Sequence, residues 1–134
     1  MRFRHHDLEF ELDEERWSAA GMDGWKPSSP SYRVDHDRFP NTFEVSIADV
    51  DPLRQRRLSH GIFNDDAETG RSARDRVIEI LRGFVEDVAI PPVQIVRIPG
   101  CGPRMYRLYH GAHRFYLSIA AGFTHVPALK GKDV

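Results

Sequence analysis

Four consecutive residues combine types that suit the binding of an anion: Gly111, Ala112, His113 and Arg114. They separate a segment with the pattern of a strand, residues 105–109, from one with helical spacing, residues 114–121. A glycine at such a junction lets the backbone approach a ligand closely, and the first turn of a helix presents free N–H groups and the positive end of the dipole. Arg114 can bind phosphate oxygens in bidentate fashion, and His113 can donate or transfer a proton near neutral pH. The segment predicts a phosphate site; four residues taken alone also fit a helix cap with a buried or solvated histidine.

A second set of phosphate donors is predicted at the start of the longest helical pattern, residues 72–88. Ser72, with an acidic residue three positions later, resembles a capping box, and two arginines flank it, Arg71 and Arg74. The Ser72 hydroxyl and the two guanidinium groups would lie at the positive end of that helix dipole, where they could contact an anion. The alternative is a capped helix with solvated arginines.

The histidines and the single cysteine show no metal or thiol chemistry of a known pattern. Seven histidines occur without HExxH or Cys/His ligand spacing, so no metal site is predicted. Asp35 and Asp37 bracket His36 and could ligate Mg²⁺ with a nucleotide, although an exposed acidic turn is the expectation. Cys101 lies in a turn rich in glycine and proline, where we expect a thiol without function.

Composition narrows the class of protein. The chain has 134 residues, 19 basic and 20 acidic side chains and a formal net charge of −1, which argues against a protein that coats duplex DNA through a broad basic face. One cysteine excludes an internal disulfide framework, so a cytoplasmic setting is predicted. No signal peptide pattern begins the chain, and no apolar segment is long enough for a membrane span.

The elements that must position these side chains follow from periodicity. Alternating patterns predict strands over residues 8–12, 43–50, 93–98, 105–109 and 126–129, and apolar stripes or caps predict helices over residues 14–20, 72–88 and 114–121. Residues 24–40 are rich in proline and serine and predict an irregular connection. We expect one α+β domain over 1–134, with a small mixed sheet in β-α-β-β-α-β order over 43–130 and an N-terminal strand-helix addition over 1–40.

The sequence resembles the ParB/sulfiredoxin-like superfamily. The resemblance is carried by residues 90–96, 106–116 and 121–127, and by a preceding strand and helix in the same order. Within them, Gly111, His113 and Arg114 match the Gly-x-His-Arg box of sulfiredoxin-like and serine-kinase-like members. The resemblance implies that nucleotide phosphates bind at this strand-to-helix turn, with the start of the helix at Ser72 on the other side.

Two departures from the superfamily limit what the resemblance implies. Ala112 stands where sulfiredoxin-like members have a cysteine before the His-Arg pair, so reduction of a cysteine sulfinic acid is not expected. ParB proteins that bind centromere DNA have a helix-turn-helix domain after this one, whereas this sequence ends at Val134, so specific DNA binding is not expected either.

The predicted function is therefore the binding of a nucleotide, ATP, ADP or CTP, with Mg²⁺ and with its phosphates at residues 111–114. As an enzyme the protein would be a nucleotide hydrolase or phosphotransferase, with His113 as the catalytic candidate. The alternative is a non-enzymatic regulatory module that recognises a partner protein through the same pocket or the N-terminal addition. A nuclease or DNA-associated factor is a third, less favoured alternative.

Overall fold

The computed structural model describes residues 1–6, 8–52, 73–98 and 105–131. Two of the predicted phosphate donors, Arg71 and Ser72, and the turn that contains Cys101 lie outside these ranges. Arg74 is placed in a helix, but its side chain is also outside the description. Among the residues that are described, no helix has the length and apolar character that crossing a bilayer requires.

The centre of the molecule is a five-stranded mixed sheet. Its strands are β3 (Phe43–Ser46), β4 (Val50–Asp51), β5 (Val93–Arg97), β6 (Tyr106–His110) and β7 (His125–Lys130). Their order in the sheet is β3-β7-β5-β6-β4; the β3–β7 and β5–β6 pairs are antiparallel, and the β5–β7 and β4–β6 pairs are parallel. The two outer strands, β3 and β4, are joined by a 3₁₀ turn of three residues, Ile47–Asp49. So short a connection between opposite edges requires a strongly curled sheet.

Two helices complete the core order that the sequence predicts. α2 (Ala73–Val85) buries Val77, Leu81 and Phe84, which recur at the spacing of one helix face. α3 (Ala112–Ala121) ends at Gly122, whose left-handed φ of +96° lets its N–H reach the carbonyls of Ile119 and Ser118. The predicted α+β class and β-α-β-β-α-β order are confirmed.

The structure corrects the predicted bounds in three main places. The helix predicted over 72–88 ends three residues earlier than predicted, at Val85. The predicted strand over 43–50 is wrong in its middle, because the 3₁₀ turn divides it into β3 and β4. The predicted helix over 114–121 begins two residues earlier, at Ala112, because Gly111 takes the N-cap position. The strands predicted over 93–98 and 105–109 form the antiparallel pair of β5 and β6, and the turn between them lies outside the described residues.

The N-terminal addition is a hairpin followed by a helix. β1 (Arg2–His5), which the sequence analysis did not predict, pairs antiparallel with β2 (Leu8–Glu11), and α1 (Glu14–Ala19) follows. The Asp13 side chain caps α1 by accepting from the Glu15 N–H at 3.0 Å. The hairpin packs on α3 through ring contacts: Phe10 lies 5.0 Å from Tyr116 and His5 lies 5.2 Å from Phe115, centroid to centroid. The addition therefore shares buried surface with the helix that follows Gly111.

The connection between α1 and β3 crosses the core as a strap, which we define as residues 30–34. At one end the Pro30 carbonyl accepts from the N–H groups of Thr124 and His125, at 3.1 and 3.0 Å. At the other end the Arg33 carbonyl accepts from the Ile90 N–H at 2.8 Å. These bonds hold the irregular segment against the start of β7 and the segment that leads into β5.

Candidate anion-binding site

The strand-to-helix turn before α3 is built around a glycine that no other residue could replace without strain. Gly111 has φ +100° and ψ 34°, the left-handed region that L side chains rarely adopt. A Cβ placed there would lie 3.0 Å from Val93 Cγ1 and 3.1 Å from Arg114 Nη2. The close packing against β5 is sufficient to explain why a glycine stands at this position, whether or not a ligand also approaches it.

The N-terminus of α3 keeps its backbone donors. The first intrahelical bond runs from the Phe115 N–H to the Gly111 carbonyl at 2.9 Å, so the N–H groups of Ala112, His113 and Arg114 precede the ladder. No side chain of the described residues caps this end, and its first turn contains no acidic residue. The four residues of the turn are neither fully buried nor fully exposed. This end of the helix therefore combines the positive end of the helix dipole with two basic side chains, His113 and Arg114.

Arg114 is held by backbone carbonyls from the start of β5. Its Nη1 donates to the Pro91 and Pro92 carbonyls at 3.0 and 3.1 Å, and its Nη2 lies 3.4 Å from Nδ1 of His110. The guanidinium is thereby fixed beside the helix N-terminus, where its charge adds to the dipole. These bonds also give Arg114 a structural role, because they tie α3 to the entry of β5.

A buried tyrosine from the strap reaches the same carbonyl. Tyr32, which is 4% exposed, donates from Oη to the Pro91 carbonyl at 2.7 Å. Burial raises the pKa of the Tyr32 phenol, and the nearby positive charge of Arg114 lowers it by a smaller amount. Pro91 consequently joins three parts of the molecule: the strap, the start of β5 and the start of α3.

His113 lies in the first turn of α3 with its Nε2 atom buried. The half-buried ring is thus partly enclosed by protein. Its assignment as the catalytic residue stays a prediction.

Other predicted ligands do not join this turn in the described part of the chain. Asp35 uses Oδ1 to accept from the N–H groups of Asp37 and Arg38, at 3.0 and 3.4 Å, which is the hydrogen bonding of an exposed turn. Among the described residues there is no group of three or more His, Cys, Asp or Glu side chains that could hold a metal ion.

The sequence analysis missed a cleft beside the strap, which we call the strap cleft. It has a volume of about 800 Å³ and is lined by residues of the strap, by Trp25 and Glu44, and by Phe84 and Phe123. Its residues come from segments far apart in the chain. The one local signal was the density of aromatic and hydroxyl side chains before Thr42, in a segment that the sequence predicted only as an irregular connection.

Comparison with known proteins gives one structural likeness. No protein-family model and no curated protein sequence matches the chain. The crystal structure of sulfiredoxin from Arabidopsis thaliana is similar to this structure, with a TM-score of 0.47 and 16% sequence identity, over 69% of this chain and 85% of that one. A likeness of this degree says nothing about what this chain binds or catalyses.

Proposed function

We propose that the N-terminus of α3 binds the phosphate groups of a nucleotide. The observation that carries the proposal is the first turn of α3, which has no acidic residue and no side-chain cap from the described residues. It presents the backbone N–H groups of Ala112, His113 and Arg114 together with the two basic side chains. Such an end stabilises an anion through its N–H groups and through the dipole. The fixed guanidinium of Arg114 adds a full positive charge next to it.

The nucleotide is the part of the proposal that rests on the resemblance to the ParB/sulfiredoxin-like superfamily. The phosphate chemistry is common to ATP, ADP and CTP, and Mg²⁺ would accompany their phosphate oxygens. Arg71, Ser72 and Arg74 are proposed as further phosphate donors from the start of α2. Hydrolysis of the nucleotide or phosphoryl transfer from it, with His113 as the catalytic candidate, is a separate proposal. Nucleotide binding does not depend on it.

The experiment is a calorimetric titration with ATP, ADP and CTP, each with and without Mg²⁺, on the parent chain and on Ala112→Asp. An acidic residue in the first turn is favourable for the helix, by about 0.3–1 kcal/mol, so the variant should fold. The same carboxylate would repel phosphate at the proposed site. We expect the nucleotide affinity to fall at least about tenfold. Because Ala112 is partly buried against the core, the melting temperature is measured in parallel to show that the variant is folded.

Arg114→Ala is the second variant, with Arg82→Ala as its matched control. Arg82 also donates to a backbone carbonyl, that of Ala19 at 3.1 Å, but it lies on α2 and not in the first turn of α3. We expect Arg114→Ala to weaken nucleotide binding and Arg82→Ala to leave it unchanged. Equal affinity in the parent chain, Ala112→Asp and Arg114→Ala would refute the proposed site. Binding without turnover would favour the regulatory module over the enzyme.

A further inference from the structure

The strap cleft presents an aromatic floor. The Trp25 and Phe123 ring centroids are 5.9 Å apart, those of Phe84 and Phe123 are 5.1 Å apart, and those of Tyr32 and Phe84 are 5.5 Å apart. All four rings line the cleft; Trp25 is partly exposed and presents its ring to the cleft, whereas Tyr32, Phe84 and Phe123 lie behind it and are at most 9% exposed. A volume of about 800 Å³ lies within the range of small-molecule sites.

One carboxylate lines this cleft without a cationic partner. Glu44 Oε1 accepts from the Ser31 hydroxyl at 2.8 Å, and in the described ranges of the chain no Lys, Arg or His side chain pairs with it. Two other charged residues of the lining, Arg33 and Asp87, pair with each other at 3.5 Å. The hydroxyl orients the carboxylate, and its negative charge remains available to a ligand.

A hydroxyl group in the lining also lacks a partner. Thr42 Oγ1 is buried and, within the part of the chain that the structure describes, makes no hydrogen bond. A buried polar atom without a hydrogen bond destabilises the folded state by about 1–3 kcal/mol. A ligand that donates a hydrogen bond to this oxygen would remove that cost.

We propose that the strap cleft binds a small molecule that carries both a primary ammonium group and an aromatic ring, joined by a short alkyl chain. The ammonium has three donors and a positive charge, which suit the Glu44 carboxylate and the Thr42 hydroxyl. The ring of such a ligand packs on the aromatic floor, and aromatic faces also attract the cation. This site is separate from the first turn of α3 and does not depend on the proposed nucleotide function.

The test uses the fluorescence of Trp25 with 2-phenylethylamine as the probe. The other tryptophan, Trp17, packs against Phe3 of the hairpin at 6.0 Å, so a Trp17→Phe background leaves Trp25 as the sole reporter. We expect a saturable change with 2-phenylethylamine and binding at least about tenfold weaker for 2-phenylethanol and 3-phenylpropionate, which keep the ring without the cation. Nα-acetyl-lysine amide, which offers an ammonium without a ring, should also bind more weakly.

Two variants and a control separate the proposed contacts from general charge. Glu44→Gln keeps an acceptor for Ser31 and should reduce the affinity for the amine at least about tenfold. Glu86→Gln removes an exposed carboxylate beside the lining and should leave the affinity unchanged. Thr42→Val should raise the melting temperature and lower the affinity, because it removes a hydroxyl that has no partner in the free protein.

Any one of the following results would overturn the proposal. These are no saturable change with 2-phenylethylamine, equal binding of 3-phenylpropionate, and equal affinity in the parent chain and Glu44→Gln. Tighter binding of the lysine derivative than of 2-phenylethylamine would also overturn it, in favour of a peptide ligand.

Discussion

Replacing Tyr32 by phenylalanine removes one hydrogen bond at the junction of the strap, β5 and α3. The phenol donates to the Pro91 carbonyl at 2.7 Å from a side chain that is 4% exposed. Since Arg114 still donates to the same carbonyl at 3.0 Å, the acceptor keeps a partner. The free energy of unfolding at neutral pH should therefore fall by about 0.5–1.5 kcal/mol, the net contribution of one hydrogen bond, and not by the larger cost of an unsatisfied buried group.

The alkaline limb of the stability curve tests the same phenol. Burial raises the pKa of Tyr32 above its ordinary value of 10.0, so above that pH the unfolded chain loses a proton that the folded chain keeps. Stability from this group is fully present below the unfolded pKa and is lost as the pH rises above it. The slope contributed by one such group is at most about 1.4 kcal/mol per pH unit. The parent chain should therefore lose stability more steeply than Tyr32→Phe above about pH 10.

The measurement is urea unfolding at neutral pH and in steps through about pH 9–11. Tyr109→Phe is the matched control, because Tyr109 is 41% exposed on β6. Removal of this exposed hydroxyl should change the free energy of unfolding by no more than about 0.5 kcal/mol at neutral pH. Equal stability of Tyr32→Phe and the parent chain at neutral pH, with parallel alkaline limbs, would refute the reasoning about this junction.

Three further substitutions test local features by thermal or urea unfolding. Gly111→Ala should destabilise the fold by more than Gly24→Ala. Both glycines have positive φ, so each substitution should cost about 1–2 kcal/mol in backbone strain. A Cβ at Gly24 would meet no atom of the described residues within 4 Å, so equal losses of stability would contradict the close packing at Gly111. Arg114→Ala should cost more stability than Arg82→Ala, because Arg114 donates to two carbonyls and Arg82 to one; the reverse order would refute its structural role. Asp13→Ala should cost about 1 kcal/mol through loss of the α1 cap, and no change would show that the hydrogen bond to Glu15 contributes nothing.

The elements that local chemistry specifies were predictable from the sequence. The end of α3 at residue 121 was predicted, because the next residue is a glycine, which adopts the left-handed conformation readily; Gly122 does so with φ +96°. The apolar stripe of Val77, Leu81 and Phe84 predicted α2 because helix periodicity needs no long-range information. The order of the core elements followed from such patterns.

What depends on contacts between distant residues was not predictable. β1 has charged residues and no β-branched ones, and it is a strand because Phe3 stands opposite Phe10 in the hairpin. The partners of Arg114 are backbone carbonyls 23 and 22 residues earlier, and no side-chain pattern encodes a backbone acceptor. The strap cleft assembles residues from the strap, α2 and β3, so its lining exists only in the folded chain.

The central claim is that phosphate binds to the backbone donors at the start of α3. A ¹H–¹⁵N correlation titration with MgATP observes these donors directly. We predict that the amide resonances of Ala112, His113 and Arg114 show the largest shifts, that they saturate together, and that Ala112→Asp abolishes the change. Saturable shifts centred elsewhere, or no shift at these three amides when the nucleotide binds, would contradict the proposed site.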